Sequence, residues 1–314
     1  MKFLSITSYF NPSKGPLRRQ NYRVFRKYLN TPLLTVEWAP DGVFELQPGD
    51  ADFLIQVASG DLLWQKECLL NMAIDEALRL GVRCAAFVDC DIVFHNERWF
   101  ESVNDALEKH DFVQCYASID YLPAMDLEGI TREALANVQP VAKLDSMIKR
   151  LQDGFGFYKD MQTDTHNSAT GPIGANPGMA TAINLQKHPD WKFYDRSVVG
   201  GGDGLQFAAM SGYLDRFLEK GNHSMPFRAH ATEWMIKHVP PSPSLGYAPN
   251  QLFHLWHGSM ASRAYTKRYE VLSRHHFDPA TDVIAEPHQA LRLDPRRHAL
   301  KADIYQYLAC RGDA

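Results

Sequence analysis

The chain has 314 residues, of which 45% are hydrophobic, and it carries a formal net charge of −4 at pH 7. That length and composition suffice for a large buried core, either as one domain or as a domain with an appendage. The charge argues against bulk binding of nucleic acid over the whole surface, although it leaves room for a local basic groove.

Targeting segments and disulfides are not expected from this sequence. The opening stretch MKFLSITSYFNP has a short apolar run that ends at Asn11-Pro12, which predicts a first strand rather than a signal peptide. No segment approaches the roughly 18 apolar residues that a transmembrane helix needs. The 5 cysteines are odd in number and form no CxxC pair, so we expect reduced thiols in a cytoplasmic protein without a membrane span.

Strands alternate with helices through the first half of the chain. Apolar runs predict strands at 2–9, 32–39, 52–58, 83–94 and 111–119, and helical spacing predicts helices at 18–29, 61–81 and 96–110. Further along, the patterns indicate a mostly helical stretch at 124–152, a loop and strand at 170–185, a glycine turn and helix at 197–214, a strand at 250–258 and helices at 262–276 and 301–309. The alternation predicts an α/β fold with a mixed, mostly parallel sheet flanked by helices. We expect a main domain at 1–276 and a helical C-terminal extension at 277–314.

Asp89 and Asp91 stand one residue apart in the segment FVDCDIVF, where a predicted buried strand ends. In parallel sheets, ligands bind beyond the carboxyl ends of the strands. If the strand stays extended, alternation points both carboxylates to the same side. There they can hold a divalent cation or bond a ribose hydroxyl. The alternative is a pair of solvated carboxylates at a strand end.

Two later motifs add polar groups. In GGGD (200–203), consecutive glycines let the backbone approach a ligand, and Asp203 can then act as a general base or merely cap the following helix. In HLWHG, His254 and His257 face one site only if the segment turns, and otherwise they are ordinary core or surface histidines. Beside a carboxylate-bound cation, imidazole favours Mn²⁺ over Mg²⁺ or Ca²⁺.

The order of these motifs resembles that of nucleotide-sugar glycosyltransferases of the GT-A (Rossmann-like) fold, and within them the β-1,4-galactosyltransferase-like group. The resemblance rests on a helix with LLN, the strand CAAFVDCDIVF, the loop GPIGANPGMATAINL, then GGGD and a late HLWHG. It covers roughly residues 1 to 270. It implies a metal-dependent hexosyl- or pentosyltransferase that moves a sugar from a nucleotide-diphospho-sugar, with UDP-sugars favoured, to an acceptor hydroxyl.

The resemblance also implies roles for individual residues. Asp91 and His257 match metal ligands, Asp89 matches a contact to the metal or the ribose, and His254 falls where the group has a methionine ligand. Mn²⁺ is the expected ion, with Mg²⁺ as the alternative. The other expected contacts to the donor or its sugar are Asn11, Lys14, Arg18, Trp64, Lys66, Gly178, Gly201, Gly202 and Arg263.

The sequence departs from the family pattern at the glycine turn. The family carries two adjacent acids there, whereas Asp203 stands alone before Gly204. If Asp203 matches the catalytic acid, it deprotonates the acceptor and the product is inverted; if it matches the other acid, it only positions the acceptor. The chain lacks the secretory anchor of the animal enzymes, so we expect a cytoplasmic protein of a bacterium or of a phage-infected host.

Three alternatives to this prediction stay open. A catalytically silent sugar-nucleotide or glycan-binding module would keep the fold without the reaction, and a nucleotidyltransferase would use a similar sheet. The third alternative concerns the acceptor: it is a glycan or a small molecule, or else the enzyme acts on a modified nucleic acid. The last is suggested by the interleaved Tyr and Arg residues of the basic stretches 18–28 and 262–274, which suit phosphate contacts and base stacking in phage DNA.

Overall fold

The computed structural model describes residues 2–154, 175–258 and 268–310. The strands are β1 (Phe3–Phe10), β2 (Leu33–Trp38), β3 (Phe53–Val57), β4 (Cys84–Val88), β5 (Ile92–Phe94), β6 (Phe112–Gln114), β7 (Ser118–Tyr121), β8 (Ala142–Ser146), β9 (Ala175–Asn176), β10 (Ala180–Asn184), β11 (Leu245–Tyr247), β12 (Gln251–His254), β13 (Val283–Ile284) and β14 (Arg292–Leu293). The helices are α1 (Pro16–Tyr28), α2 (Lys66–Arg79), α3 (Trp99–Leu107), α4 (Arg132–Ala136), α5 (Met147–Gln152), α6 (Gly202–Met210), α7 (Leu214–Lys220), α8 (Met225–His238), α9 (Arg268–Arg274), α10 (Pro279–Asp282) and α11 (His298–Ala309).

A seven-stranded sheet with the order β11-β6-β10-β4-β1-β2-β3 forms the centre of the fold. Its strands run parallel except for β10, which is antiparallel to both of its neighbours. Both faces of the sheet are buried: Leu4 and Ile6 of β1 join one hydrophobic cluster, and Phe3 joins the other. Burial on both faces explains why these strands are nearly continuous apolar runs. The predicted α/β fold with a mixed, mostly parallel sheet is confirmed.

A second, five-stranded sheet has the order β5-β12-β7-β8-β9. The chain passes directly between the two sheets at β4 to β5, β6 to β7, β9 to β10 and β11 to β12. Two of the motifs singled out in the sequence lie at these passages: Asp89 and Asp91 between β4 and β5, and the loop at Gly178 between β9 and β10. The histidines lie at the far end of β12, where His254 pairs with Ile92, the residue after Asp91. The passages therefore gather residues that are far apart in sequence.

Several predicted elements differ from the structure, among them the strand predicted at 111–119, which is divided between β6 and β7 of different sheets. The apolar run 83–94 is not one strand, because it turns at Cys90 and Asp91 and its halves belong to different sheets. The stretch 124–152 contains the strand β8 between two short helices, so its prediction as mostly helical was only partly right. A polar, half-exposed strand lacks the apolar run that marks a buried one, so little in the local pattern indicates it.

The helix predicted at 61–81 begins later, at Lys66, and Asp61 does not cap it. Asp61 instead accepts a hydrogen bond from the Leu293 backbone (2.8 Å) and pairs with Lys301 (2.5 Å). The C-terminal residues Leu291 and Leu300 are buried in the same cluster as β1 and α2. The domain boundary at 276 stays a prediction. Among the described residues, the helices are all too short or too polar to cross a bilayer.

Candidate functional site

Asp91, His254 and His257 form a compact, buried cluster. One carboxylate oxygen and one nitrogen from each imidazole lie within 4.8 Å of one another. His257 Nε2 lies 3.5 Å from Asp91 Oδ2, and His254 Nε2 lies 3.9 Å from Oδ1. The two Nε2 atoms are 3.2 Å apart. A carboxylate and two imidazoles that converge in this way make a ligand set for a transition-metal ion.

Two turns create this cluster, one at the passage from β4 to β5 and one directly after β12. His254 ends β12, and the chain leaves the strand before His257, so the two rings face the same site. The Leu255 backbone N–H donates to the Asp91 carbonyl (2.8 Å), which joins the turn after β12 to the turn after β4. Arg18 at the start of α1 places its guanidinium Nη1 3.6 Å from Asp91 Oδ2.

Asp89 lies in a different group from Asp91. Its Oδ1 is 2.7 Å from Lys66 Nζ, and the same ammonium lies 3.3 Å from both carboxylate oxygens of Asp203. The two aspartates separate because the chain turns between them, so the condition for both to point to one side is not met. The predicted metal contact of Asp89 stays a prediction.

The charges around Lys66 shift several pKa values. Burial raises the pKa of Asp89 to about 6; Lys66 opposes this shift, and Asp203 and Asp91 reinforce it. Burial would lower the pKa of Lys66, but the carboxylates of Asp203, Asp89 and Glu67 outweigh it, and the ammonium stays charged. This cluster therefore contains one permanently charged group, the Lys66 ammonium, among carboxyl groups that have different pKa values. Such arrangements are typical of sites that bind ions or move protons.

The glycine turn packs tightly against its neighbours. A Cβ at Gly178 would lie 2.6 Å from Asp203 Oδ2, and a Cβ at Gly200 would lie 3.3 Å from the Trp64 ring. Trp64 also contacts Phe10 at the end of β1, edge to face, with centroids 5.3 Å apart. Gly178 thus lets the loop before β10 approach the acid of α6, and Gly200 lets the ring of Trp64 approach the glycine turn. The predicted residues Gly178 and Asp203 are brought together, and Trp64 lies against the turn that precedes Asp203.

Glu67 is a member of this region that the sequence reasoning missed. The residue is only 3% exposed, and a Cβ at Gly202 would lie 2.5 Å from its Cδ. Burial raises its pKa to about 8, the Asp203 charge adds to the shift, and Lys66 opposes it. The signal was available: Glu67 shares helical spacing with the buried Leu70 and Ile74, which places a carboxyl on the core face of α2.

The remaining predicted residues lie at the margins of the site. Asn11 bonds Gly15 and Glu45 through its Nδ2 (both 2.9 Å) and so shapes the loop after β1. Lys14 is exposed and donates to the Val43 carbonyl (2.6 Å). Their contacts to a nucleotide stay predictions. Arg263 lies outside the described residues.

A Cβ at Gly201 would lie 2.7 Å from Arg268 Nη2. Arg268 and Tyr269, at the start of α9, therefore close one side of the turn. Gly201 adopts φ +91°, a left-handed conformation in which a side chain would be strained.

Comparisons with known proteins add the following. No protein-family model matches the chain, and no curated protein is similar to it in sequence. Among solved structures, residues 1–349 of S. aureus TarS in complex with UDP-GlcNAc are 13% identical, with a TM-score of 0.39 over 99% of this chain and 72% of that chain. Mannose-1-phosphate geranyltransferase from Thermus thermophilus is 9% identical, with a TM-score of 0.32 over 81% of this chain and 75% of that one. Similarities this low decide neither fold nor activity, so the fold rests on the sheet topology described above.

Proposed function

We propose that the protein is a metal-dependent glycosyltransferase that uses a nucleotide-diphospho-sugar, with UDP-sugars favoured, and an acceptor hydroxyl. The observation that carries the proposal is the buried cluster of Asp91, His254 and His257. It lies at the ends of β4 and β12, next to a second group in which Lys66 joins Asp89 to Asp203. A metal site beside a cation and a candidate base is what sugar transfer from a diphosphate requires.

The ligand set supports a divalent ion of the Mn²⁺ type. Two imidazole nitrogens and one carboxylate suit first-row transition metals, whereas Mg²⁺ and Ca²⁺ prefer oxygen ligands alone. The three residues are at most 8% exposed, so an ion held here would be shielded from bulk water. A bound ion would supply a Lewis acid for the charge that develops on the leaving diphosphate.

Lys66 and Arg18 are the cations that would face the diphosphate. Arg18 is next to Asp91, and Lys66 is held between Asp89 and Asp203. A diphosphate bound at Lys66 would compete with Asp203 for the ammonium. Donor binding would in this way release the Asp203 carboxylate for its part in the reaction.

Asp203 is the candidate base. Its carboxylate would take the proton of the acceptor hydroxyl while the acceptor oxygen forms a bond to the anomeric carbon of the sugar. The bond between that carbon and the diphosphate oxygen breaks, and the diphosphate leaves with the electron pair. A single displacement of this kind inverts the configuration at the anomeric carbon.

A ligand screen tests the donor and the metal together. The melting temperature is measured with UDP-, GDP- and dTDP-sugars, each with and without Mn²⁺, Mg²⁺ or Zn²⁺. A ligand that binds only the native state raises the melting temperature. We expect the largest shift with a UDP-sugar plus Mn²⁺, and none from the sugar nucleotide after EDTA. The absence of any shift with every donor and metal would overturn the proposal.

Product analysis separates the proposal from its alternatives. Purified protein with Mn²⁺ and the best donor should release the nucleoside diphosphate, slowly to water and faster to a suitable acceptor. A silent binding module would bind the donor and leave it intact. A nucleotidyltransferase would instead consume free nucleoside triphosphate and release pyrophosphate.

A further inference from the structure

A groove runs along the outer face of α1. It has a volume of about 810 Å³, and its second wall is formed by residues 127–130. From α1 the groove is lined by Arg19, Arg23 and Lys27, which are spaced four residues apart and so follow one face of the helix. The three cations form a stripe of about 12 Å at a rise of about 1.5 Å per residue.

The charge of α1 is unusual for this chain. The helix contains no acidic residue, although the whole chain has a net charge of −4. Two of its arginines are used elsewhere: Arg18 faces Asp91, and Arg26 pairs with Asp52 at 3.0 Å. Within the part of the chain that the structure describes, no carboxylate pairs with Arg19 or Arg23. Both cations are therefore available to an anionic ligand.

The two acids of the groove cancel only part of this charge, because three cations face two carboxylates. Glu45 accepts hydrogen bonds from Tyr9 and from Asn11, so its carboxylate is held at the loop after β1. Glu128 is exposed on the opposite wall. Lys27 donates to the Ile130 carbonyl (3.1 Å), which ties the two walls together.

Among the described residues, no aromatic ring lines the groove. Tyr22 and Phe25 of α1 are each 1% exposed and belong to the core, and the lining contains only cationic, acidic, amide and aliphatic residues. Proteins that bind single-stranded nucleic acid combine a positive groove with aromatic rings on which bases stack. The lining therefore favours a ligand that is contacted through its phosphates and not through bases.

The groove leads toward the metal-ligand cluster. Leu127 lines it and also lines a smaller cleft with Leu17 and Trp256. Trp256 directly precedes His257, and its carbonyl accepts a hydrogen bond from Asn21 of α1 (3.1 Å). Trp256 is 37% exposed, so the cleft beside the groove contains a partly exposed ring next to the candidate active site.

We propose that this groove binds the phosphodiester backbone of a linear acceptor polymer, with Arg19, Arg23 and Lys27 contacting successive phosphates. Neighbouring cations on the helix are about 5–6 Å apart at Cβ, which matches phosphates along an extended chain. That the polymer serves as the acceptor rests on the proposed function. Its binding through phosphates is argued from the groove alone.

The test uses two labelled oligomers of about twelve units, one of abasic phosphodiesters and one of oligo-dT, in a fluorescence anisotropy titration. KCl is varied between about 50 and 200 mM. Three phosphate contacts predict a slope of log K against log salt of about −2, or roughly a 20-fold loss of affinity over that range. Arg23→Gln should reduce the steepness of the slope by about 0.7. The triple variant Arg19→Gln/Arg23→Gln/Lys27→Gln should bind at least about tenfold more weakly.

Arg26→Gln is the matched control, because it removes the same charge from the same helix outside the groove. It should leave affinity and slope nearly unchanged, and Glu128→Gln should strengthen binding. If Arg26→Gln weakens binding as much as Arg23→Gln, or if the abasic oligomer binds without a salt dependence, the groove assignment is wrong. Binding of oligo-dT more than about tenfold tighter than the abasic chain would indicate base recognition and would also overturn it.

The donor screen separates the two proposals. Arg23→Gln/Lys27→Gln should keep the melting shift with donor and metal while it loses the oligomer. If the wild type binds the oligomer but shows no donor shift, the proposed function fails and the groove stands. If the donor shift is present and the abasic oligomer does not bind, only the groove proposal fails.

Discussion

The Nε2 atoms of His254 and His257 lie 3.2 Å apart in the buried space next to Asp91. A hydrogen bond between the rings would need one of them to donate through Nε2, whereas a shared ion needs both as acceptors. The nearby carboxylate, 3.9 Å from the His254 nitrogen and 3.5 Å from the His257 nitrogen, completes a set of ligands from two chain segments. The proposed metal site rests on this arrangement of Asp91, His254 and His257.

Replacement of a ligand should remove metal binding without unfolding the protein. For His257→Ala and Asp91→Ala we expect loss of the melting shift with Mn²⁺ and loss of metal-dependent turnover, because each variant removes one ligand of three. Wild-type binding should weaken as the pH falls through the usual range of histidine, since a protonated imidazole cannot bind a metal. The measurement is a melting curve with Mn²⁺ or EDTA.

The control for this prediction is His298→Ala, which removes an exposed histidine at the start of α11. It should behave like the wild type in metal binding and in turnover. Transfer at near-wild-type rate by the Asp91 or His257 variant, in a sample that EDTA inactivates, would show that the ion is held elsewhere.

Asp203→Asn should separate proton abstraction from donor binding. Loss of a general base typically costs about 10²- to 10⁴-fold in rate, so we expect kcat to fall in that range. The melting shift with donor and Mn²⁺ should persist, because the metal ligands are untouched. A variant that keeps kcat but has a raised KM for the acceptor would instead indicate that Asp203 only positions the acceptor.

Glu67→Gln should change how stability depends on pH. The pKa of Glu67 is raised to about 8 in the folded protein, so its proton stabilises the fold fully below about pH 4.5 and this contribution is lost as the pH rises through about 8. The loss is roughly 5 kcal/mol at most, at about 1.4 kcal/mol per pKa unit. Glutamine does not ionise, so the variant should gain stability relative to the wild type between pH 5 and 8.

Chemical denaturation at several pH values measures this effect. Glu76→Gln serves as the control, because Glu76 lies on the same helix and its pKa is lowered by Arg79, the opposite direction. Its stability difference from the wild type should not grow toward pH 8. A constant difference in unfolding free energy between Glu67→Gln and the wild type from pH 5 to 9 would mean that Glu67 is ionised in the folded protein over that whole range.

Gly202→Ala should be destabilising because of Glu67. A Cβ at this position would lie 2.5 Å from Glu67 Cδ, and overpacking of this kind typically costs about 1–3 kcal/mol. In the Glu67→Ala background, the same substitution should cost much less, which a double-mutant cycle of unfolding free energies would detect. Gly204→Ala, whose Cβ would meet Phe217 at 3.1 Å, should not be rescued by Glu67→Ala. Additive effects of Gly202→Ala and Glu67→Ala would contradict the contact.

The sequence by itself determined the fold class and the identity of most candidate residues. Apolar runs such as that of β1 are long because both faces of the central sheet are buried, so they are visible without a structure. The resemblance carried by the order of the motifs singled out Asp91 and His257, and Asp91 also stands where an apolar run stops. Apolar runs and motif order are properties of the linear sequence, so they are recognised without a structure.

Only the tertiary structure decided which of these residues meet. The turn at Cys90 sends Asp89 to Lys66 and Asp91 to the histidines, although their spacing alone is compatible with one shared site. The carboxyl of Glu67 reaches Gly202 from a helix 135 positions earlier in the chain, a contact that no local pattern contains. Such contacts depend on how the two sheets are joined, because packing across elements sets them and side-chain periodicity does not.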